Sequence, residues 1–232
     1  MKMKIEIWSD VMCPFCYLGK RKFENALAQF ADKEYIEVEW KSFQLNPSLV
    51  TNTGISIQQY LSEHKGMSVA QAQQSGNYIT KAGQAVGLTY NYDKIVVANT
   101  FRAQQLLKFA HTQGKQNDME ERLFEAFFAE GQNVNELSTL VQLASEVGLE
   151  TAGLHQALEN NKYAAQVQAD VAEANALGIH GVPYFVFNRK LAVNGAQESA
   201  VFLDTLRKAF AGWAKDHPEI KPRPATFSYK PI

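Results

Sequence analysis

The chain has 232 residues, 46% of them apolar and 20% charged, with a formal net charge of −1. That is a globular composition with material for an ample core, and it provides no global field to recruit nucleic acid or anionic lipid. No apolar run approaches the ~18–20 residues that span a bilayer, and two cysteines are too few for a disulfide scaffold.

The first element is a β-like run, Lys4 to Trp8. A helix-like run follows with apolar residues at Phe23, Ala26, Leu27 and Phe30, the i, i+3, i+4, i+7 spacing of one helical face. Next, Ile36, Val38 and Trp40 alternate with Glu37, Glu39 and Lys41, which predicts a strand with one packed and one wet face, closed by Asn46-Pro47. From about Thr51 to Asn160 the pattern is almost wholly helical. Ser56 with Gln59, and Ser68 with Gln71, have capping-box spacing. Ala103, Leu106, Leu107 and Ala110 form one apolar face, and Leu123, Phe124, Phe127 and Phe128 another, read as core. Gly131 is a stop, Asn135 the expected N-cap of a helix carrying Leu137, Leu140, Val141, Ala144 and Val147, and Gly148 its end. A further helix runs through Tyr163, Val167, Asp170, Val171, Ala174 and Leu177 to Gly178. Two short strands, Tyr184–Phe187 and Leu191–Val193, join across Asn188-Arg189. The last helix carries Phe202, Leu206, Ala209, Phe210 and Trp213. His217 to Ile232 holds four of the seven prolines and reads as an extended surface tail or a partly disordered one.

Both cysteines fall in Cys13-Pro14-Phe15-Cys16, where the first strand hands over to the first helix. The free backbone N–H groups and the positive end of the helix dipole at such a position favour an anion, and a thiolate is one. Cys13 is the expected nucleophile, at an exposed position, and Cys16, one turn deeper, the expected resolving thiol. A zinc site needs three or four ligands, and the five histidines show no ligand spacing. Pro14 suits the first helical position, where a missing N–H costs nothing. Phe15 offers the Cys13 sulfur neither charge nor hydrogen bond, so the pair is expected to be less oxidising than one with a polar dipeptide. Pro183 opens a short strand, where it cannot donate to a ladder. Asp10 reads as a loop ligand, Trp8 and Tyr17 as core or rim aromatics, His180 as a solvated loop residue, and Lys20-Arg21-Lys22 as a solvated basic run.

The order β-α-β, helical block, α-β-β-α, with CxxC opening the first helix, is a thioredoxin-like α/β arrangement interrupted between its halves. The sequence resembles the DsbA family of the thioredoxin superfamily, specifically its FrnE-like branch. Trp8 to Gly19 carries the resemblance, with Asn99 to Leu107, Leu123 to Gly148, Gly178 to Phe185 and Asn194 to Gln197. The resemblance runs from residue 4 to about 210 and implies a discontinuous thioredoxin-like domain (1–50 and 161–215) with an inserted all-helical domain (51–160); the proline-rich tail (216–232) lies outside it. The resemblance also implies that Pro183 is cis and packs against the CxxC, that Val182 offers its backbone to an extended substrate, and that Pro14 and Phe15 help set the redox poise. The expected activity is dithiol–disulfide exchange on protein or small-molecule disulfides. No bound cofactor is expected beyond the redox-active disulfide, with glutathione as a possible co-substrate. The expected context is the cytoplasm, as monomer or homodimer, without nucleic acid or membrane partners. Two other readings compete. One is a glutathione-dependent isomerase or transferase of the 2-hydroxychromene-2-carboxylate isomerase or kappa-class type; those relatives usually carry serine where this chain has cysteine. The other is a peptide-binding holdase without turnover.

Overall fold

The computed structural model describes residues 1–220 and 222–223. Its sheet has the order β2-β1-β3-β4. β1 (Met3–Ser9) runs parallel to β2 (Ile36–Ser42), Met3 facing Ile36 and Ser9 facing Ser42. β3 (Tyr184–Phe187) pairs antiparallel with β1, and β4 (Leu191–Asn194) antiparallel with β3. A parallel pair needs a crossover, and α1 (Pro14–Gln29) provides it. The β3–β4 hairpin turns through Asn188 and Arg189, both at positive φ.

As an inner strand, β1 is buried along its length except at Lys4, and its polar Glu6 is buried in a pair with Arg189. On one face Met3, Ile5, Ile7, Phe185 and Phe187 pack with Phe23 of α1 and with Phe202 and Phe210 of α9 (Ser199–Lys215). On the other, Trp8 packs against Ala174 of α8 (Ala164–Ala176) and Ile179. The Trp8 indole N–H donates to the Asp170 carbonyl at 3.1 Å.

That second face is not wet, as the alternation of β2 suggests. α8 covers it, and Lys41 reaches Asp170 at 3.1 Å and Glu173 at 3.2 Å. The Asp170 carboxylate also accepts from the Ser42 backbone N–H at 2.7 Å and pairs with Lys108. A strand pattern cannot distinguish charges that meet water from charges that meet ion partners on a covering helix.

The helical segment comprises α2 (Ile57–Lys65), α3 (Val69–Gln84), α4 (Phe101–Thr112), α5 (Gln116–Phe124), α6 (Leu137–Glu146) and α7 (Leu154–Glu159). Both expected capping boxes form: Ser56 with Gln59, and Ser68 with Gln71, exchange backbone and side-chain bonds of 2.8–3.2 Å. α5 runs on as a π-helical turn, Glu125–Glu130, ended by Gly131 in the left-handed region. Three boundaries differ from expectation. β2 ends at Ser42, before Asn46-Pro47. The N-cap of α6 is Glu136, while Asn135 instead donates its side-chain amide to Thr51 Oγ1 at 2.9 Å. The start of the C-terminal tail packs on the body: Ile220 lies against the α1–α9 core, and the Arg223 backbone N–H donates to Asp32 Oδ1 at 3.1 Å. The rest of the expected tail, residue 221 and residues 224–232, lies outside the described residues.

Candidate active site

Cys13 is the N-cap of α1, in extended conformation (φ −89°, ψ 110°), and Pro14 opens the first turn. Its carbonyl accepts from the Cys16 N–H at 3.0 Å, and its own N–H donates to the Asp10 carbonyl at 2.9 Å. Backbone bonds set the strand-to-helix turn together with the Asp10 carboxylate. The Cys13 thiol donates to the Val182 carbonyl at 3.5 Å. The Val182–Pro183 bond is cis. Pro183 lies against α1 at Gly19, where an added Cβ would sit 2.9 Å from Pro183 Cγ. No larger residue allows the helix and the proline loop to approach this closely without one of them shifting. Pro183 is fixed from behind as well, its carbonyl accepting from the Gly195 N–H at 2.9 Å.

The structure thus brings together Cys13, Pro14, Phe15, Cys16, Val182 and Pro183. It corrects one expectation: the Cys13 side chain is not exposed but shows only 4% of its surface. Access is through an apolar cleft of about 280 Å³ lined by Met12, Cys13, Tyr60, Phe127, Phe128 and Val182. Phe127 and Phe128 are core residues that also form the wall of this cleft. Phe15, 41% exposed, stands between it and a second, more open cleft of about 650 Å³ lined by Lys22, Tyr78, Pro183, Gln197 and Glu198. Tyr90, from the loop after α3, donates its hydroxyl to the Pro14 carbonyl at 2.7 Å.

Cys16 is fully buried. Burial is the main cause that holds its thiol well above the ordinary range. The neighbouring Cys13 pushes the same way, while the Asp10 backbone N–H and the Ser9 hydroxyl pull down. Asp10 is a loop ligand, as expected. Its carboxylate accepts from the Leu45 N–H at 2.7 Å, from Thr100 Oγ1 at 2.7 Å and from the Met12 N–H at 3.4 Å. Burial still raises its pKa.

The basic run is a correction. Lys20 is buried, bonding Glu24 at 2.7 Å and Glu121 at 2.5 Å; Arg21 bonds Glu121 at 2.6 Å, and Lys22 bonds Glu198 at 2.5 Å. The carboxylates come from α1 itself (Glu24), from α5 (Glu121) and from the N-cap of α9 (Glu198). Trp8 and Tyr17 are core residues, and Tyr17 stacks on Phe124 with ring centroids 4.9 Å apart. His180 is exposed and lines neither cleft.

Sequence reasoning missed Ser9, Glu120 and Tyr90. Glu120 is completely buried on α5, with Oε1 accepting from Ser9 Oγ at 2.7 Å. A signal for it exists: the buried face of α5 runs through Gln116, Met119, Leu123 and Phe124, and Glu120 falls on that face.

The model of the DSBA-like thioredoxin domain matches residues 4–207. The uncharacterized protein YwbO of Bacillus subtilis (strain 168) is 30% identical over 207 residues, covering 87% of this chain and 94% of its own. A probable DsbA oxidoreductase from Streptomyces coelicolor superposes with a TM-score of 0.83 at 34% identity, covering 96% of this chain and 93% of that one. The cytosolic disulfide reductase DsbM of Pseudomonas aeruginosa (TM-score 0.62, 17% identity, 94% and 100% covered) shares the fold. So does a 2-hydroxychromene-2-carboxylate isomerase (TM-score 0.63, 13% identity, 94% and 100% covered). With a match that takes in the CxxC turn, the helical segment and the proline loop together, the chain belongs to the DSBA-like thioredoxin domain family of thioredoxin-fold oxidoreductases.

Proposed function

We propose that this oxidoreductase exchanges its Cys13–Cys16 dithiol with disulfides that reach Cys13 through the apolar cleft. One observation carries the reading: Cys13 caps a helix N-terminus at the inner end of that cleft, and Cys16 is sealed one turn behind it. The N–H groups and dipole of the first turn favour negative charge on sulfur. The Cys13 thiolate attacks one sulfur of the substrate disulfide, and the other leaves as a thiolate carrying the bonding electron pair. Cys16 then attacks Cys13, closing the protein disulfide and releasing the second substrate thiolate. The substrate gains two electrons and the protein loses two.

Val182 and Pro183 form the wall along which an extended substrate lies, with Pro14 and Phe15 on the opposite side. The lining of Met12, Tyr60, Phe127 and Phe128 favours an apolar side chain beside the reacting sulfur. Glutathione suits the pair as the thiol that re-reduces it, and one solved form of DsbM contains GSH. The proposed compartment is the cytoplasm; among the described residues no helix is long and apolar enough to cross a membrane.

Insulin reduction tests the reading. Cys13→Ser abolishes turnover, and Cys16→Ser accumulates mixed disulfides visible by mass spectrometry. Turnover retained in Cys13→Ser overturns it. Glutathione-dependent turnover of a non-disulfide substrate that does not need Cys16 marks the isomerase reading instead.

A further inference from the structure

The cleft over Cys13 has apolar walls and a single formal charge. Ile57, Leu61, Ile95, Phe127 and Phe128 are among the side chains that line it. Lys65, exposed in the last turn of α2, is the one charged side chain among the described residues that does so, and no carboxylate joins it.

We infer that this cleft selects small apolar disulfides that carry a carboxylate. The apolar arm lies along the walls with its sulfur at Cys13, and the carboxylate meets Lys65 at the solvent end. This rests on the oxidoreductase reading above and names a substrate class for it.

The size fits one arm of such a molecule. At about 280 Å³ the cleft stands at the small end of ligand sites, which run from about 300 to about 1,000 Å³. Its width depends on a glycine. Gly76 lies inside α3, where glycine is less stable than alanine, and an added Cβ there would sit 3.2 Å from the Tyr92 ring. Without that Cβ the ring lies flat on the helix and out of the cleft. Tyr60 is fixed as well, its hydroxyl accepting from Asn46 Nδ2 at 3.0 Å.

The charge fits too. Lys20 and Lys22 on α1 are held by Glu121 and Glu198, whereas among the described residues no carboxylate pairs with Lys65. The dipole of α2 favours a cation in its last turn, but it does not neutralise one. At the inner end the first turn of α1 also favours negative charge. An apolar molecule with a carboxylate therefore meets favourable potential at both ends of the cleft, and a cationic one meets it at neither. In the reaction the Cys13 thiolate attacks one sulfur and the other leaves as a thiolate with the bonding pair. The arm left on Cys13 occupies the cleft until Cys16 expels it. The disulfide gains two electrons and two protons, and the protein dithiol loses them.

The reduced protein is mixed with excess dithiodibutyrate, with its neutral bis-amide, or with the shorter dithiodiacetate, and loss of protein thiols is followed. Each rate is divided by the rate of the same disulfide with dithiothreitol, which removes intrinsic reactivity. Dithiodibutyrate is expected to exceed its bis-amide by about fivefold at low salt, and dithiodiacetate by roughly tenfold, since it lacks two methylenes of the arm. Lys65→Gln brings the first ratio to about one, and Lys65→Glu inverts it. Raising salt from about 0.02 M to about 0.5 M lowers the same ratio in the wild-type protein, which tests the charge without a substitution. Equal normalised rates for dithiodibutyrate and its bis-amide, or a preference that survives Lys65→Gln, overturns the selection while the oxidoreductase reading stands. So does a normalised rate for dithiodiacetate that matches or exceeds that of dithiodibutyrate. If none of the three disulfides oxidises the wild-type dithiol, the oxidoreductase reading falls, and the selection with it.

Discussion

Asp10 and Glu120 are both fully buried within the same polar nest beneath α1, yet they are held in opposite ways. Asp10 has its oxygens occupied by donors from three places: the Met12 backbone beside it, the Leu45 backbone after β2, and Thr100 at the start of α4. It fastens the CxxC turn to the sheet and to the helical segment. Among the described residues, Glu120 holds one bond, from Ser9, and its Oε2 has no partner. Burial raises both groups, but only Asp10 has enough donors to make its site a rigid joint. The difference separates a carboxylate used as a fastener from one that a single hydroxyl holds. It also shows that depth of burial alone does not distinguish the two settings.

The largest effect is expected on the fastener. Asp10→Ala leaves the Leu45 N–H and the Thr100 hydroxyl without acceptors and should cost about 4 kcal/mol, read as a lowered urea midpoint at pH 7. A loss below about 1 kcal/mol would break the comparison, because Asp10 would then be no joint at all. Glu120→Gln should act in the opposite direction. The carboxyl is raised from 4.5 to about 7, so its folded-state value lies above its unfolded one. Its contribution is therefore fully present below about pH 4.5 and is lost as pH rises toward 7, at a cost of about 3 kcal/mol above that. The stability difference between Glu120→Gln and wild type should grow in favour of the variant through that window and then level off. Chemical denaturation at several pH values measures it, and a pH-independent difference refutes it. The smallest effect sharpens the scale: Tyr90→Phe removes one neutral hydrogen bond to the Pro14 carbonyl and should cost about 1 kcal/mol, with an unchanged dependence on pH between 5 and 8.

The parts of this site that are local in sequence were legible before any coordinates. The CxxC at a strand–helix junction, Pro14 in the first turn and both serine capping boxes each depend on residues within a few positions of one another. The Gly178-to-Phe185 segment was legible through resemblance, and its contact with α1 explains Gly19 as well. Ser9 and Glu120 lie 111 residues apart, and nothing in either neighbourhood announces the other. Glu120 sits in a stretch with Asp118, Glu121 and Arg122 that reads as a solvated face, although Met119, Leu123 and Phe124 mark the side it shares. Lys20, Arg21 and Lys41 misled for the same reason. Their partners Glu121, Asp170 and Glu173 come from helices far along the chain, and charge patterning reports sign, not cover. The exposure expected for Cys13 failed because the wall of its cleft is supplied by Tyr60, Phe127 and Phe128.

The apolar cluster around Cys16 has one further consequence. It gathers Val11, Cys13, Cys16, Tyr17 and Leu18 with Leu106, Leu123, Phe124, Phe127 and Phe128 from the long helical stretch. The interruption between the two halves of the sheet is thus no detachable ornament. Cutting it out would strip the resolving sulfur bare to water, so a trimmed protein reduced to the minimal fold would keep its cysteines and lose the setting that makes them a pair.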